Sequence, residues 1–325
     1  MTLSSTVEDP IVAILGCGNL GQALLVGLLR SAAAQPGSVK IRELRVTVRS
    51  ARTAQLVQER VTPLLRDMAV PRVYIFQQGA NRNVAEAADI VLLGCKYSSF
   101  GEVLQGLQGM RHDPRRIIVS MMGGVSPDLV AEAIPDWTGP ILHAVCSIAA
   151  AIGESITLLS TTDDRKDHAE SQRLVTNLFA VVGMVKWLPE CQMHAASALG
   201  SSSLAFFAQL INGLAEGVAE NNKSGNNNVQ LLPLETALAI AAQAARGTAT
   251  LLQESNPPDQ LVAQVATKGG ATAAGLAVLE KEKVVPALQA CAAITAEATA
   301  GLAPRIGVSA DSKRHQHALE SDPSR

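Results

Sequence analysis

The sequence predicts an α/β fold, a Rossmann-like doubly wound parallel sheet followed by an all-helical domain. Three observations predict it. Short apolar, β-branched runs alternate with stretches of helical spacing through the first half of the chain. A glycine-rich turn separates the first such run from the first helical stretch. From Glu190 onward strand signals all but vanish, and alanine-rich segments with apolar residues at helical spacing replace them.

The elements follow in order. Ile11 to Leu15 is a strand, and Asn19 to Arg30 carries Leu20, Leu24 and Leu28 at helical spacing. Further strands are expected at Leu44 to Val48, Val73 to Phe76, Ile90 to Leu93, Ile117 to Ser120, Ile141 to Val145 and Ser155 to Leu159. Helices are expected between them, including Ala51 to Met68, Ser126 to Ala133 and Asp167 to Val181. The character of the chain changes near Trp187. Residues 10–187 are therefore expected as one domain and 188–305 as the helical one, with flexible or disordered ends over 1–9 and 306–325. Asn221 to Gln230 reads as a polar loop inside the helical half.

Of the 325 residues 47% are hydrophobic and only 3% aromatic, so Ala, Leu and Val must fill the core. The 27 basic and 29 acidic residues nearly balance, which gives no reason to expect a nucleic-acid partner. Gly, charge or amide interrupts the apolar runs well short of a bilayer crossing, so no membrane association is expected. Cys17, Cys95, Cys146, Cys191 and Cys291 form no CxxC pair, which points to neither a disulfide framework nor a metal site. A reducing compartment, the cytoplasm, is expected.

Gly16, Cys17, Gly18, Asn19, Leu20 and Gly21 spell GxGxxG between a strand and a helix. In that context Gly16 permits the turn, Gly18 lets the backbone approach a pyrophosphate, and Gly21 lets the helix pack on the strand. The free N–H groups of the helix N-terminus then face the anion. After the second strand come Arg49, Ser50, Ala51 and Arg52, with no carboxylate to accept hydrogen bonds from a ribose. Two guanidiniums and a hydroxyl suit a 2′-phosphate, so NADP(H) is preferred over NAD(H); the plainer alternative is a solvated helix start. Gly94, Cys95, Lys96 and Tyr97 follow the fourth strand, and Met121 and Met122 follow the fifth, both at crevice positions of an open parallel sheet. For Lys96 a loop lysine in water is the competing reading.

Four segments carry a resemblance to the pyrroline-5-carboxylate reductase family, from about Ile11 to Leu302. They are ILGCGNLGQALLVGLL, Asn81 with the following AADIVLLGCK, SMMGGVS, and ATKGGATAAGLAVLE. The resemblance implies a dinucleotide-binding domain joined to a helical dimerisation domain. It implies NAD(P)H-dependent reduction of a cyclic imine to a cyclic amine, a small-molecule imine substrate, and a homodimer or larger assembly. By carry-over, Asn81 and Lys96 lie along the cofactor, and Thr267, Gly269, Gly270, Ala271 and Thr272 form the substrate loop. The Thr272 hydroxyl would hydrogen-bond the ring nitrogen, and the loop amides would hold a carboxylate. The chain departs from the family on the substrate side. Ser147, Ile148 and Ala149 replace asparagine-threonine-proline, Ser201, Ser202, Ser203 and Leu204 replace glycine-serine-glycine-proline, and Lys268 replaces the signature proline. Pyrroline-5-carboxylate or a related, different or bulkier imine is the expectation; Lys268 would then meet an acidic substituent, with a solvated loop lysine as the competing reading. Two other readings compete. A non-catalytic NADP-binding scaffold fits the lost motifs, and a β-hydroxyacid dehydrogenase fits the layout. The latter needs a lysine that Met193 to Gly217 does not contain.

Overall fold

The computed structural model describes residues 9–35, 37, 40–66, 70–111, 113–162, 169–219 and 231–302. The expected flexible start over 1–8, the polar loop at Asn221 to Gln230 and the tail over 306–325 lie outside the described residues. Contacts divide the chain into two units. One spans Ser202–Thr295, and the other holds the residues up to Ser201 together with those from Ala296 on.

The first unit is built on an eight-stranded sheet. Its strands are β1 (Ile11–Leu15), β2 (Glu43–Val48), β3 (Arg72–Gln77), β4 (Ile90–Leu93), β5 (Ile117–Ser120), β6 (Ile141–Val145), β7 (Ser155–Ser160) and β8 (Gly183–Trp187), in the order β3-β2-β1-β4-β5-β6-β7-β8. Strands β1 to β6 are mutually parallel. Helices α1 (Asn19–Ala34), α2 (Ala51–Val61), α3 (Asn81–Glu86), α4 (Phe100–Leu107), α5 (Pro127–Ala133) and α6 (Ala169–Ala180) make the crossovers. Every residue of β1 is buried. Val12 and Ile14 pack into a core with Leu24, Leu28 and Phe179. Ile11, Ala13 and Leu15 pack into a second core with Phe100, Leu104 and Val130. Period-two alternation thus feeds both faces, which is why these strands read as unbroken apolar runs. The chain leaves β1 toward β2 on one side and reaches β4 on the other, and ligands enter an open sheet of this kind at that reversal.

Three details differ from the sequence expectation. Strand β7 runs antiparallel to β6, so the sheet is mixed at that edge. Strand β8 had no counterpart among the expected strands: its alternating burial leaves Met184 and Lys186 exposed, and a half-solvated edge strand carries a weak apolar signal. Helix α2 stops at Val61 where a helix to Met68 was expected. Pro63 brings no N–H to continue the ladder, and one 3-10 turn, Leu64–Arg66, succeeds it; Met68 itself lies outside the described residues.

The first unit also contains α7 (Met193–Ser197). Through a π turn at Ala198–Ser202 it continues into α8 (Ser203–Gly217). The 28-residue run Glu190–Gly217 is long and apolar enough to cross a membrane by length and composition alone, a longer run than the sequence spacing indicated. The second unit comprises α8, α9 (Leu234–Gln253), α10 (Pro258–Val265), α11 (Ala271–Lys281) and most of α12 (Val284–Ala300), and α8 packs on α9.

Candidate functional site

A cleft of about 170 Å³ opens at the carboxyl ends of β1, β2 and β4. Gly16 turns the chain out of β1 with φ +84°, and a Cβ there would lie 2.7 Å from Cys95 Cα. Gly18 is the N-cap of α1, and nothing lies within 4 Å of the position a Cβ would take. Asn19, Leu20 and Gly21 form the first turn of α1, a 16-residue helix with no acidic residue in that turn. Free N–H groups and the positive end of the helix dipole therefore meet open space at the cleft, a cradle for an anion.

Strand register places the segment after β2. Leu15 pairs with Thr47, so Val48 and Arg49 stand beside the glycine turn, and both line the cleft. Ser50 caps α2: its Oγ accepts from the Thr53 amide at 3.2 Å and shares a hydrogen with Thr53 Oγ1 at 2.9 Å. Arg52, on the first turn of α2, is exposed and does not line the cleft. No carboxylate stands on this rim between Val48 and Thr53.

Asn81, the first residue of α3, is only 7% exposed and lines the same cleft. Its Oδ1 has no hydrogen-bond partner among the described residues. A buried amide oxygen is costly when unpaired, so a ligand donor at the cleft suits it. With the glycine cradle and Arg49, this donor set fits a phosphorylated dinucleotide.

Gly94, Cys95 and Lys96 follow β4 and line the cleft. Met122 does not. It is 2% exposed, sits in the second core, and its sulfur accepts from Cys95 Sγ at 3.3 Å. The thiols make poor nucleophiles, because burial pushes Cys17 up to about 12 and Cys95 up to about 11. Thr47, Val48, Thr53, Ser99 and Val103 also line the cleft, and the sequence reading did not single them out. The first two were within reach of a register argument, and Thr53 is marked by the Ser-x-x-Thr spacing of an N-cap. Ser99 and Val103 have no comparable signal.

The residues read as a substrate loop belong to the second unit. Thr267, Lys268, Gly269 and Gly270 form the turn between α10 and α11; Gly269 adopts φ +74°, and the Gly270 amide donates to the Thr267 carbonyl at 3.0 Å. Gly270 is the N-cap of α11, whose first turn has no acidic residue and begins with Ala271 and Thr272. Thr267, Lys268, Ala271 and Thr272 are exposed. This turn, like the cleft, offers N–H groups at a helix N-terminus.

Comparison with known proteins gives two family matches. A family described as pyrroline-5-carboxylate reductase dimerisation matches residues 190–302, and one described as NADP oxidoreductase coenzyme F420-dependent matches residues 11–124. A pyrroline-5-carboxylate reductase of Penicillium fellutanum is 72% identical over 307 residues, covering 94% of this chain and 95% of the relative. The Neurospora crassa pyrroline-5-carboxylate reductase is 31% identical, covering 83% of this chain and 86% of the relative. Among solved structures, the Plasmodium falciparum pyrroline carboxylate reductase with NADP bound superposes with a TM-score of 0.72 at 19% identity, covering 91% of this chain and 99% of that one. The Streptococcus pyogenes enzyme gives 0.70 at 23% identity, covering 90% and 99%. Both likenesses are of fold.

Proposed function

The chain belongs to the pyrroline-5-carboxylate reductase family, and from that premise we propose that it reduces pyrroline-5-carboxylate or a related, bulkier cyclic imine, with NADPH preferred over NADH. It is a nicotinamide-dependent oxidoreductase acting on a C=N bond. The observation that carries the finer reading is a contrast within one chain. By the resemblance, the residues of the cofactor cleft are similar to the family's pattern, while Ser147 to Ala149, Ser201 to Leu204 and Lys268 depart from it on the substrate side.

When bound, the nicotinamide supplies a hydride for the imine carbon. The protein's part is to grip and orient. Gly16 and Gly18 bring the backbone to the pyrophosphate, the amides of Asn19 to Gly21 hold it, and Arg49 takes the 2′-phosphate, with Ser50 and Arg52 beside it on the start of α2. Asn81, Cys95 and Lys96 lie along the cofactor, with Met122 behind Cys95. In the second unit the free amides among Gly269 to Thr272 hold a carboxylate and Lys268 meets a further acidic group. The Thr272 hydroxyl accepts a hydrogen bond from the imine nitrogen, which favours the protonated, electrophilic imine. The assembly is a homodimer or larger, formed through the helical half, and the apolar run Glu190–Gly217 is read as protein-facing, not lipid-facing. Five free cysteines suit a reducing compartment such as the cytoplasm.

The test is NADPH oxidation by the purified full chain across pyrroline-5-carboxylate and ring-substituted cyclic imines. Higher kcat/KM for a substituted imine is expected. Turnover of pyrroline-5-carboxylate alone removes the bulkier substrate, and turnover of none removes the imine assignment. Thr272→Ala is expected to lower kcat while NADPH binding stays intact.

A further inference from the structure

We propose that Thr47 is a positioning residue for the nucleotide cradle, acting on the dinucleotide through the turn it clamps. The inference rests on the dinucleotide reading of the cleft. Thr47 lies on β2, opposite the last residue of β1, and is 1% exposed. The Gly16 amide donates to its Oγ1 at 3.1 Å, and the Cys17 amide donates to its carbonyl at 2.7 Å. One residue of the neighbouring strand thus takes two consecutive N–H groups at the corner where Gly16 swings to positive φ.

Those two amides have no other acceptor among the described residues, although the Leu15 carbonyl takes the Gly94 amide at 2.8 Å and the Cys17 carbonyl takes the Gln22 side chain at 3.4 Å. Beyond Leu15 the β1 ladder with β2 ends, and the next amide, that of Gly18, already turns back to the Gly16 carbonyl at 2.8 Å. Without the Thr47 hydroxyl the Gly16 N–H is left unpaired inside the protein, and the turn relaxes to find another acceptor. The α1 N-terminus begins only two residues later, so its amides shift with the turn. Thr47 also lies two residues before Arg49, so one strand end sets both the cradle and the cationic rim. A hydroxyl in this position restrains geometry that a valine of the same shape leaves free, and pre-organised donors bind an anion more tightly than donors that must be ordered on binding.

The experiment compares the full chain with Thr47→Val and Thr47→Ser, using NADPH as the probe. NADPH affinity is read directly by titration calorimetry, and KM for NADPH and kcat are read with the best imine of the panel. Thr47→Val is expected to weaken NADPH binding about tenfold, the scale of one lost hydrogen bond. KM should rise accordingly, with kcat at saturating NADPH little changed, and Thr47→Ser should recover the affinity. Loss of fold alone does not give this split between KM and kcat, nor rescue by serine. Should Thr47→Val fail to fold, Thr47→Ser against Thr47→Ala isolates the same hydroxyl with the methyl absent from both. Equal NADPH affinity within the compared pair, with wild-type binding intact, overturns this inference alone. Failure of the wild-type chain to bind NADPH overturns the dinucleotide reading and this inference with it.

Discussion

Arg49 stands where a carboxylate would select the unphosphorylated cofactor, and it lines the cleft beside the glycine turn. Replacing it tests the cofactor preference at a single residue. Because the side chain is exposed, solvent screens part of its attraction. Arg49→Glu is therefore expected to weaken NADPH binding about tenfold rather than abolish it, and to leave NADH binding little changed. Equal losses for the two cofactors, read by titration, would remove the 2′-phosphate from the role of Arg49. How much of the site was legible in the sequence differs from residue to residue. Gly16 and Gly18 were readable because their motif fixes both position and direction, whereas Asn81 was reached only through the family resemblance. Met122 illustrates the limit: its place after β5 follows from the sheet, but which way its side chain turns depends on Cys95 and on the core behind it. Thr47 reads in the sequence as one more β-branched strand residue, and its hydroxyl gains meaning only when the pairing with Leu15 brings it to the Gly16 amide.

At the scale of elements, a buried polar knot joins β6, β7 and the start of the long helical run. His143 on β6 pairs across the sheet with Ser160 on β7, and both reach Glu190. His143 Nδ1 lies 2.9 Å from the Glu190 carboxylate and must supply the hydrogen, because the ionised acid has none to give. Partial burial pushes the Glu190 carboxyl up, but the hydrogen bond and charge of His143, with the Ser160 hydroxyl and the more distant His194, together hold it below its ordinary 4.5. Its folded value thus lies under the unfolded one. The ionised group stabilises the fold fully above the ordinary carboxylate range, and that contribution disappears as pH falls through the lowered folded value. Glu190→Gln should lower the urea midpoint at neutral pH and narrow its gap from wild type in acid; a gap independent of pH would deny the coupling. The knot was hidden in the sequence, where His143 is one polar residue in an apolar strand and Glu190 begins another domain's helix. The strands themselves were readable because burial on both faces leaves an unbroken apolar signature, which β8 at the rim lacks.

At the scale of the whole molecule, the two units bury their apolar residues to very different degrees. The sheet unit closes two cores, whereas within Ser202–Thr295 only Ser203, Ala215, Ala219 and Ala237 are buried among the described residues. Leu214 is 69% exposed, Val265 61% and Ile240 57%, and none of these has enough neighbours in its own unit to leave water. Helical spacing alone announces that such segments are helices, but it does not say whether the apolar face meets the same chain or another, so this half was legible as helix and not as a closed core. Side chains of this size lose about 1.5–3 kcal/mol each when left in water instead of buried, and large contiguous apolar patches on an isolated chain mark association. Association with a second copy would cover such residues, because a two-fold interface presents each patch twice. Light scattering at micromolar concentration should accordingly report a dimer or a larger closed assembly, and Leu214→Glu together with Ile240→Glu should shift it toward monomer with a lower melting temperature. A wild-type chain that runs as a folded monomer at that concentration would mean that these residues find their cover some other way.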